Sequence, residues 1–199
     1  MCKAKILFVL LFINSILYSQ EELKLYKNIY TTSDALKKSG HILDLNKEIF
    51  IQAKELDQQH PSKYFETAAN YLNKSKFNEA SFLYYTGLMR FKYYNSSNPD
   101  YQESNDGALL GSLKYAIGEP INMYLKTDIN NYISILEKAV EYCKNNDFNF
   151  YPKSKSPENY NNQLTSCLKL KTDLENNKTK YSDLWNEETK KIKISLKIK

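Results

Sequence analysis

Along most of this 199-residue chain the apolar residues recur at intervals of three and four, the spacing that lines them up on one face of an α-helix. Only five glycines and five prolines punctuate it, so the tight turns that β-hairpins need are scarce. The pattern predicts an all-α fold, with helical hairpins packed as a single bundle-like domain.

Helix boundaries follow from local chemistry. Leu45, Ile49, Ala53 and Leu56 share a face of a helix over 43–58, which His60-Pro61 breaks because the residue before proline is driven out of the α region. Ser62 is placed to cap a helix over 63–73, and a break at Lys74-Ser75-Lys76 leads into a strong helix over 77–94. Asp106 opens a helix that Gly118 closes, Pro120 restarts a short one through Lys126, and Asp128 caps another over 129–145. Ser156-Pro157 is a helix start with proline in the first turn. That helix passes Leu174, weakens at Asn176-Asn177 and resumes near Leu184-Trp185. Residues 21–40 fit no single period. At the other end Ile192, Ile194, Leu196 and Ile198 alternate with lysine and serine, so a basic tail over 191–199 predicts a short C-terminal strand or a frayed end. A basic membrane-surface helix, carrying Ile192 and Leu196 on one stripe and Ile194 and Ile198 on another, is the third reading.

The first nineteen residues have the order of a secretory signal: Lys3 and Lys5, the apolar run Ile6 to Ile13, then small Ser19 before Gln20. Cleavage there leaves a helical domain over 20–190, with no later stretch of membrane-span length and a periplasmic or secreted destination. Loss of the two lysines lowers the formal charge from +5 to +3. That is too mild to point to nucleic acid, which is met by clustered Lys and Arg. Two cysteines then remain, Cys143 and Cys167, and an oxidising compartment permits one disulfide between them. Both lie on consecutive helices, but at levels that differ by roughly 10 Å.

Within 64–94 the residues Tyr64, Ala68, Tyr71, Phe77, Glu79-Ala80, Tyr84 and Gly87 fall in a spacing of aromatic and small side chains that resembles a single tetratricopeptide repeat. The resemblance implies two antiparallel helices whose small residues allow close approach while the aromatics fill the space around them. Thr67 stands where that family favours leucine, and Lys92 stands in place of its closing proline, which lengthens the second helix. One copy implies a helical hairpin within a bundle rather than a stacked array.

Chemistry is sparse. His41 and His60 are the only histidines and share no metal-binding spacing; Ser62 lies next to His60 with no third partner evident. No phosphate loop or nucleophile elbow is present, and no cofactor is implied. Loop carboxylates Asp100, Glu103, Asp106 and Glu119 are the material for a hydrolase reading. Tyr84, Tyr85, Tyr93 and Tyr94 spread aromatic surface over several sides of one helix, a composition enriched at protein interfaces. Arg90 is the sole arginine beside 27 lysines. Its planar fork, suited to bidentate carboxylate pairing, predicts a buried ion pair with Glu119 or Asp128. These features favour an exported, non-enzymatic helical protein that binds another protein. An envelope immunity or inhibitor protein is the next reading.

Overall fold

The computed structural model describes residues 20, 23–39, 45–101 and 105–198. The expected signal over 1–19, and with it His41 and Glu103, lies outside the described residues. Among these residues nine α-helices and no strand are found. They are α1 (residues 23–38), α2 (Glu48–Leu56), α3 (Ser62–Asn73), α4 (Phe77–Ser97), α5 (Asp106–Ala116), α6 (Gly118–Lys126), α7 (Ile129–Asn145), α8 (Pro157–Asn176) and α9 (Lys178–Ser195). None is long and apolar enough to cross a membrane.

The domain is organised around α4. Its buried residues run through every side of the helix, from Phe77, Ala80 and Leu83 to Tyr84, Met89, Arg90 and Tyr93. A helix apolar all round belongs in the middle of a fold, and α4 packs against α3, α6, α7 and α8. Among the described residues, α3 and α4 make the most extensive helix–helix contact. Gly87 explains it: a Cβ at that position would lie 2.4 Å from the Tyr64 Cβ, so only glycine lets the two helices close. Ala68 and Ala80 are likewise fully buried. The hairpin turns through Ser75, whose φ of 56° lies in the left-handed region. The N–H of Lys76 reaches the Tyr71 carbonyl at 3.0 Å and that of Ser75 reaches Leu72 at 2.9 Å, a Schellman closure.

Helix α7 lays Tyr132, Ile135, Leu136, Ala139 and Cys143 against α4 and α8. It starts where the sequence places it, with the Asp128 carboxylate accepting from the N–H groups of Asn130 and Asn131 at 2.8 and 3.1 Å. Ser62, in contrast, is the first residue of α3 and not its cap; Pro61 holds the cap position.

Two differences from the sequence reading concern the ends. Residues 23–38 form a helix because its buried set, Ile29, Tyr30 and Ser33, includes a hydroxyl that apolar periodicity does not count. Ser33 donates across the fold to Thr127 at 2.6 Å. The C-terminal strand is not formed, for α9 continues through Ser195. The alternation that suggested a strand also contains an i, i+4 pair, Ile192 and Leu196, which continues the stripe begun by Trp185. Ile194, the residue between them, is left 70% exposed. The helix ends at Lys197 (φ 55°) in a second Schellman closure, with Ile198 N–H on the Lys193 carbonyl at 2.9 Å.

Candidate functional site

Three polar constellations stand out, and geometry separates them. The first is built on Arg90, which is fully buried as its rarity predicts. Its partner is neither Glu119 nor Asp128. The guanidinium clasps Asp57 at the end of α2, Nε donating to Oδ1 at 2.9 Å and Nη2 to Oδ2 at 3.2 Å. Glu119 is exposed on α6, and Asp128 is occupied as the α7 cap. Further partners of the pair come from other helices. Tyr64 donates to Oδ1 at 2.8 Å and Tyr142 to Oδ2 at 2.7 Å. Arg90 also donates to the Asn146 carbonyl at 3.0 Å and to the Tyr160 hydroxyl, which in turn donates its O–H to the Cys143 carbonyl. Phe148 and Tyr160 cover the guanidinium faces at 5.3 and 5.5 Å. Burial pushes the Asp57 carboxyl up, against the pull of Arg90 and the two tyrosine hydroxyls. Five helices meet here, and Asp57 and Arg90 themselves are shielded from solvent. The cluster is a clamp that sets their register.

The second constellation joins His60, Ser62 and Asp106. Ser62 Oγ lies 2.9 Å from His60 Nδ1, and His60 Nε2 lies 3.4 Å from the Asp106 carboxylate, so the third partner missing from the sequence does arrive. Connectivity alone suggests a nucleophile relay. The surrounding backbone argues otherwise. Nδ1 also accepts from the Ser62 N–H at 3.3 Å, and the next two N–H groups of α3 are taken by the carbonyls of His60 and Pro61. No backbone donor of this first turn is left to stabilise an oxyanion. Rings of Phe91, Tyr94 and Phe150 hold the imidazole edge-on at 5.3 to 5.7 Å. His60 therefore acts as a side-chain cap for α3. Of the other loop carboxylates that are described, Asp100 after α4 and Glu119 on α6 are exposed.

The third is a cleft of about 780 Å³ bordered by α1, α4, α6, α7, α8 and α9. One side is a single face of α6, on which Glu119, Asn122, Met123 and Lys126 recur at three and four. The opposite side is the stripe of α9 that carries Trp185, Glu188 and Ile192, extended by Leu196 just past its end. Between them lie Tyr84, Tyr85 and Leu88 of α4, with Tyr26, Tyr132 and Leu170 completing the lining. Gly118 lets the Tyr84 ring reach α6, since a Cβ there would meet its hydroxyl at 2.4 Å. Tyr85 donates to Asn122 Oδ1 at 3.1 Å and is in short contact with the Tyr132 hydroxyl. Lys126 bridges the two walls by binding both oxygens of Glu188 at 3.0 and 3.1 Å.

The expected tyrosine interface is thereby redrawn. Tyr84, Tyr85 and Tyr93 are buried, because α3, α6, α7 and α8 between them cover every side of α4. Tyr94 is half-buried against the rings of His60, Phe150 and Tyr151. Tyr84 and Tyr85 border open space through the cleft, and Tyr85 also borders a smaller pocket against α8. The disulfide is not formed either. Cys143 and Cys167 are buried free thiols, and burial pushes them up to about 11 and about 12. Thiols so disfavoured as thiolates are poor nucleophiles at neutral pH.

No protein-family model, no characterised protein and no solved structure gives a significant match to this chain. The cleft must therefore be read from its own chemistry.

Proposed function

We propose that this chain is an exported, non-enzymatic helical protein that acts by binding another protein through the cleft between α6 and α9. The observation that carries the reading is the make-up of that cleft. Its volume lies in the range of natural ligand sites, its lining is mainly aromatic and aliphatic, and a few polar groups converge on it. Tyr and Trp provide large rigid contact surface at low entropic cost, which is why they recur at the centre of interfaces. The polar groups of the other two constellations are largely paired within the fold. Export supports the choice of partner: a protein outside the cytoplasm meets other envelope proteins more readily than nucleic acid.

The test has two parts. Mass analysis of the chain isolated from its native envelope is expected to match residues 20–199, with intact Lys3 on that material overturning the export reading. A photo-crosslinking side chain placed at Met123 is expected to capture one defined protein in cells. The same group at Ile51, a 62% exposed residue of α2, is expected to capture none. Equal capture at both positions, or none at Met123, defeats the assignment of the cleft.

A further inference from the structure

The two ends of the cleft differ in their charges. At one end Lys126 closes the gap between α6 and α9 by neutralising Glu188. Seven residues earlier on α6, about 10 Å away along its axis, Glu119 borders the same cleft on an exposed position and makes no ion pair among the described residues. This is an uncompensated carboxylate at an apolar opening, on a protein whose net charge is positive. Between the two ends, Asn122 spends its carbonyl oxygen on Tyr85. Its amide N–H groups have no protein acceptor among the described residues.

We infer that the cleft recognises a peptide segment in which a large apolar side chain adjoins a lysine or arginine. The inference rests on the proposed binding role and names the chemistry of the partner. The apolar side chain enters between Leu88, Met123 and Ile192 beside Trp185. A backbone carbonyl of the segment accepts from the Asn122 amide, which no apolar group could use. The basic side chain lies along the opening with its cation on Glu119, where an acidic neighbour would be repelled. The Lys126–Glu188 pair, already neutral, bounds the other end and selects for neither sign.

Trp185 is the only tryptophan of the chain, so its emission reports occupancy directly. The full mature protein is titrated with two synthetic peptides, capped at both ends and identical except that one pairs leucine with lysine and the other leucine with glutamate. The leucine–lysine peptide is expected to shift Trp185 emission saturably, and the leucine–glutamate peptide to leave it unchanged. Glu119→Gln, an exposed substitution that spares the fold, is expected to weaken the basic peptide about three- to five-fold, the scale of one exposed ion pair. Raising the salt concentration should remove that difference between the wild type and Glu119→Gln. Equal response to both peptides, or unchanged affinity in Glu119→Gln, overturns the basic selectivity. A neutral apolar dye that moves Trp185 where neither peptide does overturns the peptide class and leaves a small-molecule site. If no probe moves Trp185 and the crosslink at Met123 is also empty, the binding role of the cleft itself fails.

Discussion

The Asp57–Arg90 clamp and the α6–α9 cleft are made from the same materials: a carboxylate, a cation and several tyrosines. In the clamp nearly all of the hydrogen-bonding capacity is spent internally. Asp57 receives Arg90 twice, Tyr64 and Tyr142, and Arg90 gives two more N–H groups to Asn146 and Tyr160. In the cleft one carboxylate and one amide have no partner among the described residues. Residue type therefore does not separate structural from functional positions in this molecule. Saturation does. A polar group whose partners are all internal can hold helices together, whereas recognition needs capacity that the fold has not consumed.

The largest consequence concerns what each carboxylate is worth to stability. Removing Arg90 leaves a buried charge on Asp57, and breaking such a pair from one side costs about 3–5 kcal/mol. Arg90→Ala should lose that much in chemical denaturation, a large share of the roughly 5–15 kcal/mol that holds a domain together. Arg90→Lys keeps the charge but cannot serve Asp57, Asn146 and Tyr160 together from one planar group, and should fall between Ala and wild type. Glu119→Ala, at an exposed position, should stay within about 0.5 kcal/mol. Similar losses at the two sites would erase the distinction between clamp and cleft.

A pH titration sharpens it. Burial pushes the Tyr84 hydroxyl, beside the cleft, up to about 12. Tyr142 and Tyr160 in the clamp are driven higher still, chiefly by burial, with the Asp57 charge adding to it at Tyr142 and Arg90 opposing it at Tyr160. The sign follows from linkage. Folded values above the unfolded value of about 10 mean that the unfolded chain gives up these protons first. The stabilising contribution is thus fully present below about pH 10 and is lost as pH rises through the folded values. Denaturation midpoints should fall from about pH 10 upward, with tyrosinate absorbance from buried rings appearing only as helical circular dichroism disappears. Ionisation of these rings near pH 10 with the helices intact would contradict their burial.

The sequence carried the helices well wherever a boundary had its own chemistry, as at Pro61, Asp128 and Ser156-Pro157. It carried the α3–α4 hairpin because small residues at Ala68, Ala80 and Gly87 have one physical use, close approach. It also carried the burial of Arg90, since rarity of the residue marked the position. Other features depend on pairings that spacing along one helix cannot reveal. Asp57 lies 33 residues from Arg90, near the end of the helix expected over 43–58 and outside its apolar set, so nothing along that helix marks it as the partner. The face Glu119, Asn122, Met123 and Lys126 is visible on α6, but what lies opposite depends on how α9 folds back. The alternating tail misled on that point. Ser62 and His60 were visible as neighbours, yet Asp106 and the backbone bonds that make His60 a cap emerge only in three dimensions.

The smallest effects come from three glycines that sample the molecule from its tightest region outward. At Gly87 an added Cβ meets the Tyr64 Cβ at 2.4 Å, an atom fixed to the α3 backbone, so α3 and α4 must move apart. Overpacking of this kind costs about 1–3 kcal/mol, more than the helix propensity gained by Gly→Ala. At Gly118 the Cβ meets the Tyr84 hydroxyl at 2.4 Å, but this is the far end of a side chain that borders the cleft and can swing into it. There the strain and the propensity gain of about 1 kcal/mol should nearly cancel. Any shift of the Tyr84 ring should alter Trp185 emission across the cleft. At Gly111 on α5 nothing lies within 4 Å, so Gly111→Ala carries the propensity gain alone and should stabilise by about 0.5–1 kcal/mol. The three substitutions are chemically identical, so denaturation midpoints in the order Gly111→Ala, Gly118→Ala, Gly87→Ala would isolate packing as the cause. A Gly118→Ala loss as large as that of Gly87→Ala would mean that Tyr84 cannot yield toward the cleft, and that the cleft wall is as rigid as the clamp.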